Sequence, residues 1–167
     1  MKYLWAPWRL AYIKAPRTEG CVFCEFARDN RDREHRILAR GTHAFAILNT
    51  FPYNSAHLMI VPFRHLSNLG DLRDAELLDM SHLTTASVEA VTETYRPEGF
   101  NIGLNLGRAA GAGITDHLHM HVVPRWIGDT NYMPVLGEVK VLPEDLTETY
   151  DRLAPVLRSI LARWSDR

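Results

Sequence analysis

Three histidines alternate with apolar residues in one short stretch of this 167-residue sequence: His117, His119 and His121. In an extended strand, residues two apart lie on the same face, so the three imidazoles should form a row. The apolar residues between them would then face the core. Imidazole is both a common metal ligand and a nucleophile, so a row of three predicts a reactive site.

Two kinds of chemistry could use this row. Three histidines that leave one position open could hold a catalytic zinc ion and its activated water. Alternatively, one histidine could form a covalent bond to phosphorus, because protonated imidazole is a good leaving group. A surface cluster without a function gives the same pattern, and the spacing alone does not choose among these interpretations.

The only two cysteines, Cys21 and Cys24, are separated by two residues. In a reducing compartment this spacing predicts a metal site or a redox pair. The thioredoxin-type redox motif lies at a strand-to-helix turn of a βαβ unit, and no such pattern surrounds these cysteines. Two cysteines cannot complete a four-ligand structural zinc site alone, so such a site would need histidine ligands from elsewhere.

The elements that must position these residues follow from hydrophobic periodicity and turn residues. Strands mostly succeed one another, with one long helix between the third and fourth, which predicts an α+β fold with an antiparallel sheet. A C-terminal helix contains Pro155, which should kink or split it. The predicted strands cover residues 36–41, 43–48, 57–61, 100–106 and 116–125, and the predicted helices cover residues 71–95 and 143–163.

Composition excludes several classes of function. Hydrophobic residues make up 46% of the chain and charged residues 23%, as in ordinary globular proteins. The net charge of −1 gives no bulk attraction to nucleic acid or to an anionic membrane. There is no apolar run of membrane-spanning length, and the first residues lack the order of a signal peptide. We therefore expect a cytoplasmic protein without nucleic-acid or membrane partners.

The segment from His117 to Val123 resembles the signature of the histidine-triad family, written His-φ-His-φ-His-φ-φ with φ apolar. The resemblance covers roughly residues 20–127 and includes 45–61, 99–107 and the two cysteines. The flanks at 5–9 and 124–134 are similar to the branch known as diadenosine tetraphosphate phosphorylases, or ATP adenylyltransferases. We expect one domain over residues 1–167, with a core at about 20–127, an N-terminal arm at 1–19 and a C-terminal extension at 128–167.

The resemblance implies a role for each matching residue. His119 would be the nucleophile that takes the nucleotidyl group, while His121 and His57 would contact phosphate or orient the nucleophile. Asn49 would hold the ribose, and Asn105 the phosphate region. The resemblance also implies a structural zinc ion on Cys21, Cys24, His65 and His117, and a divalent cation could accompany the substrate.

The loop before the triad departs from the family pattern. Many members have a glutamine followed by serine or threonine there, whereas this chain has Gly111-Ala112-Gly113-Ile114. The backbone N–H groups of a glycine-rich turn can bind phosphate instead, so we expect Gly111 and Gly113 to contribute to nucleotide binding. Arg108 and Arg125 are the basic residues nearest in sequence that could attract a second phosphate.

The implied fold has a five-stranded antiparallel sheet, a long helix and a C-terminal helix, with two sheets joined edge to edge in a homodimer. The implied reaction is phosphorolysis of an adenine dinucleoside polyphosphate, giving ADP and ATP from diadenosine tetraphosphate with inorganic phosphate as acceptor. The alternatives are a histidine-triad hydrolase or nucleoside phosphoramidase that releases AMP, a zinc-dependent hydrolase, and a non-catalytic nucleotide-binding protein.

Overall fold

The computed structural model describes residues 20–129 and 144–165. At its centre lies a five-stranded sheet in the order β1-β2-β3-β5-β4, and each pair of neighbours is antiparallel. The strands are β1 (Ile37–Arg40), β2 (Ala44–Leu48), β3 (Leu58–Pro62), β4 (Gly99–Leu104) and β5 (Met120–Arg125). The helices are α1 (Val22–Arg28), α2 (Asp32–His35), α3 (Asp74–Tyr95) and α4 (Leu146–Ser165). None of these helices has the length and apolar character needed to cross a membrane.

The two faces of the sheet carry different cores. Helices α3 and α4 pack together over one face, where the larger core includes Leu83, Leu157 and Ile60. On the other face, Phe45 and Ile47 of β2 pack in a smaller core with Phe23 of α1. Strands β2 and β3 are buried on both faces, which explains why they read as continuous apolar runs in the sequence.

The predicted order of strands and main helices is confirmed, with shifted bounds. Helix α4 continues through Pro155, so the predicted split of this helix is wrong. The histidine strand begins at Met120 and not at Asp116, since the N–H of Leu118 donates to the carbonyl of Leu66 (2.7 Å) ahead of the β3–β5 ladder. Helices α1 and α2 were not predicted, because a helix of seven residues or fewer gives little periodic signal.

Arg40 of β1 fixes helix α1 to the edge of the sheet. Its guanidinium donates to the carbonyls of Phe26 (3.1 Å), Ala27 (2.8 Å) and Asp29 (2.8 Å). These carbonyls lie at the C-terminal end of α1, where the helix itself supplies no hydrogen-bond donors. A short helix that is marginal alone is thereby held against the sheet.

Candidate active site and metal centre

The row of histidines predicted from the sequence is present on the face of the sheet opposite α3 and α4. Leu118 and Val122 point into the helix-covered core. The rings of His119 and His121 lie 5.0 Å apart between centroids. Phe23 of α1 packs against both His117 and His119, at 5.4 Å from each ring. The alternation therefore separates reactive groups from core residues even though His117 and His119 precede the regular part of β5.

At one end of the row lies a group of four potential metal ligands. The donor atoms of Cys21, Cys24, His65 and His117 all lie within 4.8 Å of one another. The Nδ1 of His117 is 3.1 Å from the Sγ of Cys21, and the Nδ1 of His65 is 3.4 Å from the Sγ of Cys24. A tetrahedral zinc ion with ordinary Zn–S and Zn–N bonds has ligand–ligand edges of about 3.3–3.8 Å, so this donor set fits zinc.

A backbone carbonyl prepares His117 for this role. The Nε2–H of His117 donates to the carbonyl of Pro62 (2.9 Å), which leaves the lone pair of Nδ1 directed at the two sulfur atoms. Metal-bound histidines commonly have their second nitrogen fixed in this way. This group uses only one histidine of the row, an arrangement that disagrees with a zinc hydrolase binding one metal ion through all three.

His119 is held in the opposite tautomer. Its Nδ1–H donates to the carbonyl of His117 (2.9 Å), so its Nε2 is the nitrogen with the available lone pair. His119 is only 6% exposed, yet it lines a cleft on this face. A fixed and mostly dehydrated imidazole with one free nitrogen is suited to attack an electrophilic phosphorus atom.

Beyond His119, hydrogen bonds connect His57 and His121. The backbone N–H of Tyr53 donates to Nδ1 of His57 (2.9 Å), so the proton of His57 resides on Nε2. That Nε2–H donates to Nδ1 of His121 (3.0 Å), which places the proton of His121 on its own Nε2. The Nδ2 atoms of Asn49 and Asn105 lie 3.4 Å from Nε2 of His57 and 3.5 Å from Nε2 of His121. With a proton on each of these ring nitrogens, the two amides must turn their oxygens toward the rings in order to accept. The two histidines can therefore present an N–H group beside the nucleophile.

The cleft next to these histidines has a volume of about 390 Å³ and mostly apolar walls. One wall is α1, through Val22, Phe23 and Phe26, and His35 stacks behind Phe26 at 4.1 Å. Another wall is the loop between β2 and β3. The predicted residues that line the cleft are Asn49, Gly111, Gly113, His119 and His121. Predicted residues His57 and Asn105 are connected to it through His121.

Burial keeps the histidines of the row neutral. Removal from water lowers the pKa of both His117 and His119. The same effect, reinforced by the neighbouring His119, lowers the pKa of His121 to about 4. At neutral pH the nucleophile candidate is therefore an uncharged base, which is the form that can attack.

The two arginines suggested for a second phosphate have different surroundings. The guanidinium of Arg125 already has partners in Asp129 (2.6 and 3.0 Å) and in the side chain of Asn101 (2.7 Å). Arg108 begins a short 3₁₀ turn in the loop before the triad, where its carbonyl accepts the N–H of Gly111 (3.0 Å). Within the described residues, Arg108 has no carboxylate partner.

Parts of the sequence pattern lie outside the described residues, namely the aromatic arm at 1–19 and the extension from residue 130 to 143. The structure adds cleft residues that the sequence analysis did not identify: Val22, Phe23, Phe26, Phe51 and Tyr53. Those on α1 were missed because that helix was not predicted. The spacing of the two cysteines could have indicated them. A metal site that joins these cysteines to His117 also brings Val22 and Phe23, which lie between the cysteines, close to the triad.

Known proteins are similar to this chain in sequence and in fold. A family model described as the HIT domain matches residues 30–126. The AP-4-A phosphorylase of Mycobacterium tuberculosis is 39% identical over 162 residues, covering 92% of this chain and 83% of that protein. An uncharacterised HIT-like protein of Methanocaldococcus jannaschii is 32% identical over 120 residues, covering 72% of this chain and 89% of that protein.

Solved structures agree with the sequence matches. A zinc-bound histidine triad family protein from Mycobacterium smegmatis matches with a TM-score of 0.69 and 25% identity, covering 86% of this chain and 97% of that one. A hypothetical histidine triad nucleotide-binding protein from Sulfolobus tokodaii matches with a TM-score of 0.66 and 24% identity, covering 86% of this chain and 93% of that one. The antiparallel sheet, the row of histidines and the family match together show that the chain belongs to the histidine-triad (HIT) family.

Proposed function

We propose that the protein is a nucleotidyltransferase that cleaves adenine dinucleoside polyphosphates with inorganic phosphate. The observation that carries the proposal is the hydrogen bond from His119 Nδ1 to the His117 carbonyl, which leaves Nε2 as the free nitrogen beside the cleft. The name of the Mycobacterium tuberculosis relative, AP-4-A phosphorylase, supports the substrate class.

In the first half-reaction, Nε2 of His119 attacks the α-phosphorus of diadenosine tetraphosphate. A phosphorus–nitrogen bond forms, the bond to the bridging oxygen breaks, and ATP leaves with the electron pair of that bond. The Nε2–H of His121 lies beside this centre and can stabilise the charge that develops on the leaving oxygen. His57 maintains the required tautomer of His121.

In the second half-reaction, an oxygen of inorganic phosphate attacks the same phosphorus atom. The phosphorus–nitrogen bond breaks, and its electron pair returns to Nε2 of His119. The products are ADP and the regenerated imidazole. Covalent catalysis of this kind divides one difficult displacement into two easier ones.

Preference for phosphate over water requires a local anion site, because water is present in large excess. We assign this site to the loop from Gly107 to Gly113, in which Gly111 and Gly113 line the cleft. Backbone N–H groups of this loop and the guanidinium of Arg108 would hold the incoming phosphate. A phosphate held next to the phosphorus atom reacts faster because it is already in position, an advantage that bulk water does not have.

Zinc is the metal that we propose for the Cys21, Cys24, His65 and His117 group. The fit of the donor set supports this assignment, and the Mycobacterium smegmatis neighbour is described as zinc-bound. Bound there, the ion would supply structural cross-linking between α1 and the triad segment. The reaction itself would use His119, with a divalent cation accompanying the polyphosphate of the substrate.

We also propose a homodimer formed through β4 and a cytoplasmic location with its nucleotide substrates. Strand β4 is at one edge of the sheet, and three consecutive residues, Asn101, Ile102 and Gly103, are exposed along it. An open edge with an exposed apolar residue is suited to pairing with a second copy. The molar mass in solution, measured by light scattering, tests this arrangement.

The reaction is tested by incubating the protein with diadenosine tetraphosphate and labelled inorganic phosphate. We expect ATP and labelled ADP in equal amounts. Formation of AMP and ATP at every phosphate concentration would instead identify a hydrolase. Tight nucleotide binding without any product would identify a non-catalytic binding protein.

A further inference from the structure

The loop between β2 and β3, residues 49–57, carries both cleft residues and the start of the histidine hydrogen bonds. Phe51 and Tyr53 line the cleft, and the Tyr53 N–H donates to Nδ1 of His57. The N–H of His57 in turn donates to the carbonyl of Asn54 (3.2 Å). The position of this loop therefore decides whether His57 keeps its hydrogen-bond donor at Nδ1.

The conformation of the loop is strained near its end. Ala56, which directly precedes His57, has a φ of 57°, in the left-handed region that non-glycine residues rarely adopt. Such a conformation persists only where surrounding contacts impose it. An attachment of the loop to the rest of the fold should therefore help to hold it in the observed position.

Asn54 provides this attachment. Its Nδ2 donates to the carboxylate of Asp129 (2.8 Å) and to the carbonyl of Pro124 (3.0 Å). These contacts connect the loop to the end of β5 and to the turn that follows it. Neither Asn54 nor Asp129 lines the cleft, so this connection lies outside it.

Asp129 is itself firmly held. The Arg125 guanidinium contacts both of its oxygens, and the N–H of Trp126 donates to Oδ2 (3.2 Å). Its side chain is only 10% exposed. Hydrogen bonds from Arg125 hold the pKa of this carboxyl well below its usual range, so it is an acceptor at neutral pH.

We propose that Asp129 is a positioning residue for the active site. Through Asn54 it holds the β2–β3 loop so that the Tyr53 N–H fixes His57 and His121 in the tautomers that the reaction needs. Without this donor the preference of His57 for a proton on Nε2 is weakened, and the N–H of His121 is then less firmly fixed as a donor. The catalytic part of this inference rests on the proposed function, whereas the tautomer part concerns the resting protein.

The test compares Asp129→Asn and Asn54→Ala with Asp151→Asn as the matched control. Asp151 also forms an ion pair, with Arg33 at 2.8 Å, but that pair is exposed and involves α2 and α4. The Asn54→Ala variant leaves the pair of Arg125 and Asp129 intact, so it remains informative if Asp129→Asn does not fold. The ring nitrogens of His57 are observed by NMR through their ¹⁵N chemical shifts, without substrate.

We expect the ¹⁵N shifts of His57 to move from those of one tautomer toward an average of two in both variants. With diadenosine tetraphosphate, kcat should fall by about tenfold or more, because misplacement affects the transition state most. KM should rise by a smaller factor, because the loop is also a wall of the cleft. The double variant should be no slower than the slower single variant, since both act through one connection. The Asp151→Asn variant should match the wild-type protein.

The proposal would be overturned if both variants kept the tautomers and kcat of the wild-type protein and showed only a lower melting temperature. Asp129 would then contribute to stability alone. Additive losses in the double variant would also overturn it. If the wild-type protein transfers nucleotide to water and not to phosphate, the proposed acceptor fails, but the tautomer shifts still decide the role of Asp129. The two failures are therefore distinguishable.

Discussion

The two ends of the histidine row differ in the groups that surround each imidazole. The metal side, formed by Cys21, Cys24, His65 and His117, brings four donor atoms within 4.8 Å of one another. The nucleophile side, formed by His57, His119 and His121, contains no cysteine, and Nε2 of His119 has no hydrogen-bond partner among the described residues. One end is suited to a closed structural site, and the other leaves one nitrogen open.

The difference arises from which backbone carbonyl takes the proton of each ring. Pro62 accepts Nε2–H of His117 and leaves Nδ1 for a metal, whereas His117 accepts Nδ1–H of His119 and leaves Nε2 for a substrate. The side chains are identical and only two residues apart. Their expected chemistry differs because the hydrogen bond that fixes the tautomer differs.

Replacing one histidine at each end should produce the largest contrast. In His119→Gln, we expect turnover to fall by about 10⁴-fold or more, because the covalent path is lost, while metal content and melting temperature change little. In His117→Gln, we expect loss of the metal and a large fall in melting temperature. Steady-state kinetics, elemental analysis and thermal unfolding of both variants test this contrast. Near-normal turnover in His119→Gln would contradict it.

Loss of the metal should affect the nucleophile side only indirectly. His65 is the exposed member of the proposed metal group, so His65→Asn creates no core cavity, and its effect reports the metal. We expect metal loss, a free energy of unfolding lower by at least about 2 kcal/mol, and a raised KM for the nucleotide because α1 forms a cleft wall. Elemental analysis, denaturant unfolding and kinetics measure these three effects.

His82→Asn provides the control, because His82 is exposed and lies outside the metal group. It should retain both metal and stability. A chelator should reproduce the effects of His65→Asn in the wild-type protein and add little in the variant. Full stability of metal-free wild-type protein would remove the structural role of the metal.

The sequence predicts those features of the two ends of the row that depend on residues close together in the chain. Alternation over 117–123 predicted which side chains face the core, because that pattern is local. The resemblance to the family named all four metal candidates, and the structure brings them together. The tautomer of His117 could not be predicted, because it depends on the carbonyl of Pro62, which is distant in sequence. The tautomer of His121 could not be predicted either, because it depends on His57, whose Nδ1 accepts the N–H of Tyr53.

The same limit explains what was missed or misassigned. Asp129 and Asn54 are 75 positions apart, and no local pattern indicates that they meet. Arg125 was suggested as a phosphate ligand because it is basic and close to the triad in sequence. Its side chain instead pairs with Asp129, a contact that a charge pattern alone does not distinguish from a free cation.

Arg108 should show a smaller effect that is confined to the acceptor step. In Arg108→Gln, we expect the KM for phosphate to rise by about tenfold, while the KM for diadenosine tetraphosphate changes little. Arg163→Gln is the control, because that arginine pairs with Glu89 at the far end of α4. Initial rates at varied phosphate concentration measure the change. An unchanged KM for phosphate would leave the backbone of the loop as the acceptor site.

The smallest expected effect concerns pH. His121 has a pKa of about 4 in the folded protein and near 6.5 when exposed, so the unfolded chain binds more protons between these values. Its contribution to stability is therefore present above pH 6.5 and is lost as the pH falls toward 4. The fall in melting temperature over this range should be smaller in His121→Asn than in the wild-type protein. His82→Asn, which alters an exposed histidine, should not reduce that fall.

The central claim is that the nucleotidyl group is carried by His119. The most direct measurement is mass spectrometry of protein mixed rapidly with diadenosine tetraphosphate without phosphate, quenched in alkali and digested. We predict one adenylyl group, assigned to His119 by fragmentation of the peptide that contains it, and its loss when inorganic phosphate is added before the quench. Product formation from protein that never carries this adduct, or an adduct on a residue other than His119, would contradict the account.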